Sequence, residues 1–500
     1  MRDSCCQGRR PGSSALRTAG ITLGAAAWLV GFAAQAEQAP TEEGCHVLPH
    51  VHCVWDGGDQ RLDLSADTRF RVEFWDARAR ENSTFFALRT RLRAKYTVKN
   101  IVSVFAEFQD ARLWGLGPSS SGAAAAYRRF TPTGFGDTTS GQDIRQGWLE
   151  LRPIEGLSIR GGRTGINLGT QAMYKEPNWK YLKIKRASQR MVGNVGWSHG
   201  ARANDGGSIT YEWDGYNLFA FGAMPTTGVF DISNAYETME DIVYGGLSLT
   251  AKRDTWLKNT EVRPFFLAYS DQRPVSEGGL PKGVEVYTLG ASAIGIYPVG
   301  PGNLDVFLWL AGQAGDYDDR THLAGAGILE LGYQLPELLF KPWLRAGLNV
   351  ASGGPDKGNH NTFFNMLPTN HLYYGFADQL AFQNLFDAFV QLLLRFHEDV
   401  GLNLFYHYFA LLNNDDGLYF GTGAFTKKNR PGAFGYGRRP SFGHHTVGHE
   451  VDVVLNWNPT RWLSLQGGYA HLFGGPVFEA NPRRVDPDVQ FGYVQVSLRY

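Results

Sequence analysis

Residues 85–96 read FFALRTRLRAKY, and this stretch decides the fold. Arg89, Arg91, Arg93 and Lys95 occupy every second position, with Leu88, Leu92, Ala94 and Tyr96 between them. A strand sends alternate side chains to opposite faces, so four cations share one face and apolar groups the other. The pattern recurs. RFRVEFWDA sets Phe70, Val72 and Phe74 against Arg69, Arg71 and Glu73. HEVDVVLNW and YVQVSLRY, the latter ending at Tyr500, alternate in the same way. Segments of about ten residues with this period, separated by turns, are the signature of an all-β transmembrane antiparallel β-barrel.

The connections alternate in length. TVKN (97–100), PIEG (153–156), VGPGN (299–303) and DV (399–400) are short, whereas 113–142, 165–199, 352–386, 413–446 and 474–488 are long. Outer-membrane barrels combine short periplasmic turns with long extracellular loops. Counting by this rule predicts about 18 strands, from near 69–77 to 489–500, with both ends on the periplasmic side. The mature chain contains no run of 18 apolar residues of the kind a spanning helix needs.

Composition fits this class. The 500 residues include 61 glycines and 13% aromatics, and only 19% are charged, below the usual quarter. The formal net charge is zero, so no global field points to nucleic acid. Arg9, Arg10 and Arg17, the apolar ITLGAAAWLVGFAA and Ala34-Gln35-Ala36 together predict a signal peptide over 1–36. A periplasmic segment over 37–64 and a barrel over 65–500 follow. Two cysteines remain after the signal, Cys45 and Cys53 in CHVLPHVHC. In an exported protein such a pair is expected to form a disulfide. His46, His50 and His52 offer a small metal site as the alternative reading, but no usual zinc spacing is present.

In a barrel the apolar face meets lipid and the charged face meets water inside. Turning the cations of 89–95 to lipid would cost about 2–4 kcal/mol each near the midplane, so the register is forced. The same phase points Arg69, Arg71, Arg160, Arg345, Arg395 and Arg499 inward with those four. It also points Glu73, Glu107, Glu150, Glu212, Glu330, Glu450 and Asp452 inward. Closure sets the last strand beside the first, so Arg499, Arg69, Arg71 and the 89–95 row share one wall. Two readings stand together: a cationic track for anionic cargo, or wall bracing by cross-strand pairs such as Arg91 or Arg93 with Glu107. A second basic cluster, Lys427, Lys428, Arg430, Arg438 and Arg439, lies in a long loop, suited to a polyanion or to lipopolysaccharide phosphates. The loops 113–142 and 352–386 are the candidates for a constriction.

Several stretches in order carry a family resemblance. FFALRTRLRAKY is followed by VFAEFQDARLWG, GWLELRPIEGLSIRGGRTGINLG and VGNVGWSHGARANDGG; SGGPDKGNHNTFFNMLPTNHLYYGFADQLAFQNL then precedes VGHEVDVVLNW. Over nearly all of 65–500 the chain resembles the alginate-export family of outer-membrane proteins. The resemblance implies an eighteen-stranded monomeric barrel that exports an acidic polysaccharide through an arginine-lined lumen. Arg89, Arg91, Arg93, Arg160 and Arg345 match that role, while the inward acids depart from it. The terminal Tyr500, with Leu498, Val496 and Val494 stepping back from it, resembles the C-terminal recognition signal of barrel assembly.

The functional expectation is therefore a porin-like channel for anionic polysaccharide or other anionic solutes, without a cofactor. Its expected partners are lipid, lipopolysaccharide, the outer-membrane assembly machinery, the anionic solute itself and a periplasmic partner protein, with no nucleic acid among them. A barrel sheathing a partner protein is the alternative. A rim hydrolase is the third class, with His371 and His449 the histidines to watch, but no nucleophile elbow or H-E-x-x-H accompanies them.

Overall fold

The computed structural model describes residues 55–76, 82–116, 122–130, 138–233, 235–275, 280–354, 358–420, 424–425, 427, 436–482, 484 and 486–500. The expected signal peptide, Cys45, Cys53, Lys428 and Arg430 lie outside the described residues.

Eighteen antiparallel strands form one closed sheet. They are β1 (Gln60–Asp76), β2 (Ser83–Val98), β3 (Val102–Trp114), β4 (Thr139–Leu151), β5 (Leu157–Thr164), β6 (Asn204–Trp213), β7 (Tyr216–Pro225), β8 (Ile242–Ala251) and β9 (Thr260–Asp271). The second half comprises β10 (Val284–Val299), β11 (Gly302–Tyr317), β12 (Arg320–Gln334), β13 (Trp343–Ala351), β14 (Leu385–Arg395), β15 (Val400–Ala410), β16 (Thr446–Trp457), β17 (Leu463–Gly474) and β18 (Val489–Arg499). Each strand pairs with its neighbour in sequence, and β1 pairs with β18 from Asp67↔Arg499 to Asp76↔Gln490. Closure leaves no open edge, so every wall strand finds backbone partners on both sides, as hydrocarbon surroundings demand. β1 begins at Gln60, inside the segment expected to precede the barrel, and its residues 60–64 pair with the end of β2.

All connections at one end, the turn end, have eight residues or fewer. The other end carries the stretches 115–138, 165–203, 226–241, 272–283, 352–384, 411–445 and 475–488. The alternation read from 85–96 is present in space. Leu92 is 52% exposed on the outside, while Arg89 and Arg91 are buried within. In β11 both faces are apolar: Leu308 and Leu310 face out, whereas Phe307 and Trp309 are buried inside. Such two-sided apolar strands need cover on both faces. Here lipid supplies one cover and chain folded into the barrel supplies the other. Trp309, for example, packs against Phe363 and Phe382 of the 352–384 stretch. Among the described residues no helix is long and apolar enough to cross a membrane.

Candidate functional site

The lumen is occupied by two long loops that fold inward. The first, 165–203, starts a short helix at Pro177, where the ring's fixed φ suits the first turn, and continues through a π-helical turn, Leu182–Ala187. This turn and the residues just after it point three cations at the far wall. Lys183 pairs with Glu261 of β9 at 2.5 Å. Arg186 donates twice to Glu330 of β12, at 2.8 and 2.7 Å. Arg190 donates to the same carboxylate at 2.8 Å, and its guanidinium lies 3.6 Å from the Tyr373 ring centroid. Arg345 of β13 adds a fourth contact at 3.0 Å and also holds Asp305. One buried carboxylate thus receives three guanidiniums. Burial penalises the Lys183 ammonium and lowers its pKa, although Glu261 opposes the shift.

The returning limb of this loop meets the opposite wall. Arg69 donates to the carbonyls of Gly196, Trp197 and Ser198 at 2.8, 2.8 and 2.7 Å. Arg71 pairs with Glu73 at 2.5 Å and lies 3.8 Å over the Trp197 ring. Gln109 donates to the carbonyls of His199 and Gly200, both at 3.2 Å. Farther along the wall, Arg89 pairs with Asp67 at 3.0 Å, Arg91 donates to Gln109 at 2.7 Å, and Arg93 pairs with both Asp67 and Glu107. Arg145 reaches Glu107 at 2.5 Å.

The second loop, 352–384, packs on the first. Gly193 donates to the Leu367 carbonyl and Leu367 to that of Met191, each at 2.8 Å, so the two segments share a strand-like contact inside the barrel. His371 stacks on Trp197 with centroids 3.9 Å apart and contacts Asp378 through Nδ1 at 2.8 Å. His360 stacks on Tyr317 at 3.7 Å and meets His322 of β12, with the Nδ1 atoms 2.8 Å apart. Burial, then His322, Arg320 and Arg438, hold the His360 imidazole down to about 2. Gly375, at φ +81°, lets the backbone pass so close to Glu450 that a Cβ there would collide with its carboxylate. Ala377 N–H donates to Glu450 at 2.8 Å.

Toward the turn end a cavity of about 440 Å³ remains between the first loop and the wall of β12–β17. Its lining includes Lys185, Arg186, Lys341 and Arg395, the aromatic rings of Tyr181, Trp343, Phe376 and Phe405, and six side-chain amides. Among the described residues no carboxylate lines it.

The remaining expected site residues fall as follows. Arg160 pairs with Glu150 at 2.8 Å and lies over Trp148 at 4.0 Å. Lys95 has no carboxylate at ion-pair distance among the described residues, and Arg499 sits opposite Asp67 in the closing register. Asp452 is buried beside His407, 3.9 Å from its Nε2, while His407 Nδ1 contacts Asp387 at 2.9 Å. Glu212 is exposed near the turn end and pairs with Lys252. His449 faces outward beside Tyr406, 2.6 Å from its hydroxyl. In the basic loop, Lys427 pairs with Glu237 and Arg438 with Asp416, both at 2.6 Å. Tyr500 exchanges two backbone hydrogen bonds of 2.9 Å with Ala66. Of the expected constriction loops, 352–384 enters the lumen. From 115–138, the helix Gly122–Phe130 buries Tyr127, whose hydroxyl accepts from His199 N–H at 2.7 Å. The 165–203 stretch also enters the lumen, although the sequence marks it by its length alone.

Sequence reasoning did not single out Asp67, Arg145, Glu261, Asp305, Lys183, Arg186 or Arg190. The signal for Asp67 existed, because the alternation in RLDLSADTRF extends back to Arg61. Arg145 was masked by a bulge: the β3–β4 register shifts between Glu107 and Phe108, re-aiming one extra residue inward.

The family profile described as alginate export matches residues 60–491. The chain belongs to the alginate-export family. No curated protein matches it. Among solved structures this family member is similar to OccAB2 of Acinetobacter baumannii, with TM-score 0.59 and 10% identity over 88% of this chain and 98% of that one. It is also similar to OccK5 (OpdH) of Pseudomonas aeruginosa, with TM-score 0.53 and 9% identity over 88% and 97%. A third is OpdK of P. aeruginosa with vanillate, with TM-score 0.54 and 12% identity over 88% and 98%. At these identities the likeness concerns the fold. Family and fold place the protein in the outer membrane of a Gram-negative envelope as a channel-type barrel, surrounded by lipid.

Proposed function

We propose that this family member is a gated channel for anionic solutes, carboxylated polysaccharide among them, and that it carries out no chemistry on its cargo. The observation that carries this reading is the cavity lined by cations and amides without a carboxylate. Low-dielectric walls lined by one sign of charge focus the field and concentrate counter-ions there. The arginine row at 89–93 acts differently in this reading. Arg89 and Arg93 pair with Asp67, Arg93 also pairs with Glu107, and Arg91 donates to Gln109, so the row braces the wall, while Arg69 beside it holds the first loop.

The inserted loops supply the gate, and a polymer needs them to shift. Because they fill the lumen, they also argue against a barrel that sheathes a folded partner. Liposome swelling tests the reading. Vesicles carrying the protein should admit glucuronate faster than glucose; equal rates would make it a general pore, and faster glucose entry would reverse the selectivity.

A further inference from the structure

The cations around the inserted turn fall into two groups. Arg186, Arg190, Arg345 and Lys183 are all tied to Glu330, Asp305 or Glu261. Lys185, Lys341 and Arg395 are not: each is exposed to the cavity space, and none has an ion pair among the described residues. They come from three separate elements, namely the π-helical turn of the inserted loop, the 335–342 turn and the end of β14. Their convergence on one carboxylate-free space is therefore a product of tertiary folding. The 335–342 turn holds its place at a cost. Phe340 and Lys341 both have positive φ, 64° and 44°, and Arg395 N–H donates to the Phe340 carbonyl at 2.7 Å. Strained non-glycine backbone persists where the surroundings fix it, often at binding sites.

We propose that this cavity at the turn end, periplasmic by the usual arrangement of such barrels, is a binding site for a carboxylate carried on a single ring. Lys185, Lys341 and Arg395 take the carboxylate, Arg395 being able to do so through two parallel hydrogen bonds. Trp343 and Tyr181, whose ring centroids are 5.0 Å apart, offer apolar faces to the ring. The amides along the wall serve ring hydroxyls. A volume of about 440 Å³ lies within the range of small-molecule sites. The site therefore takes a free sugar acid or the end of a polyuronate chain, two sources of the same chemistry. The inference rests on the anion-channel reading and assigns its first recognition step to this mouth.

The test is titration calorimetry on the detergent-purified full-length protein with glucuronate, a short uronate oligomer, glucose and benzoate. Glucuronate should bind and glucose should not. The K185Q/K341Q/R395Q variant should lose at least tenfold in affinity while its thermal unfolding stays unchanged, since these exposed side chains have no folded-state partners. Tighter binding of the oligomer than of the monomer would identify chain ends as the source; equal binding, the free acid. Benzoate binding as strong as glucuronate would overturn the role given to the amides. Glucose binding as strong as glucuronate, or an unchanged affinity in the triple variant, would overturn the site. A protein that selects anions in membranes yet binds neither acid would sink this inference and leave the channel reading standing.

Discussion

Glu330 is the residue on which the closed lumen most depends. It accepts from Arg186 and Arg190 of the inserted loop and from Arg345 of the wall, all of them buried. Removing one partner of a buried ion pair costs about 3–5 kcal/mol, because the remaining charge is left without compensation. In Glu330→Gln that cost falls on the docked loop, whose two arginines can escape to water, more than on the barrel. The expected outcome is a larger and noisier single-channel conductance with the barrel still folded; an unchanged conductance would show that the loop is held elsewhere. Arg69 acts at the other limb with three hydrogen bonds to carbonyls. Hydrogen bonds to charged groups contribute about 1.5–3 kcal/mol each, so Arg69→Ala should also raise the frequency of opening events in single-channel records. At this scale the sequence was partly legible. Alternation placed Arg89, Arg91, Arg93, Glu107 and Glu330 inside. It also offered Arg91 or Arg93 as a cross-strand partner of Glu107, and Arg93 pairs with it, but it could not supply the partners of Glu330 that arrive from an inserted loop. Arg145 stayed hidden because a single bulge reverses the phase.

The strands were the most legible elements, since lipid outside and water inside impose a period of two that turns alone interrupt. The inserted segments were not, because 165–203 and 352–384 obey no lipid constraint and carry neither period. Length, glycine and aromatic content mark 352–386 as a candidate constriction, and the two-sided apolar pattern of β11 carries a further signal that its inner face is covered. A pH dependence follows from the docking of the second segment. In the unfolded chain an imidazole titrates near ~6.5; in the docked loop burial holds His360 down to about 2. The docked form therefore binds fewer protons than the released form. Its contribution to docking is complete above ~6.5 and is lost progressively as pH falls toward 2. His322, Tyr317, Arg320 and Arg438 surround the ring, and none of them supplies a carboxylate to hold its proton. Conductance should rise as the loop end is acidified from neutral pH to about pH 4, and His360→Gln should flatten that response; a variant as pH-sensitive as the parent would remove His360 from the gate.

For the whole molecule, closure joins the first strand to the last. Ala66 and Tyr500 exchange two backbone hydrogen bonds at that seam, beside the ten-residue β1–β18 register. Deleting Tyr500 removes this pair and the terminal aromatic expected to guide assembly, so less folded barrel should reach the membrane; an undiminished yield would confine the residue to packing. Strand number, closure and membrane placement could be read from a repeated pattern, whereas the cargo site is assembled from an inserted turn, a wall turn and a strand end, far apart in the chain. The central claim is that this assembly makes the pore favour anions. Its most direct test is the reversal potential of the full-length protein in a planar bilayer under a potassium chloride gradient. The account predicts a reversal potential of the sign for chloride selectivity, moving toward zero in K185Q/K341Q/R395Q and less so in R89Q/R91Q. A cation-selective or unselective parent channel would contradict it.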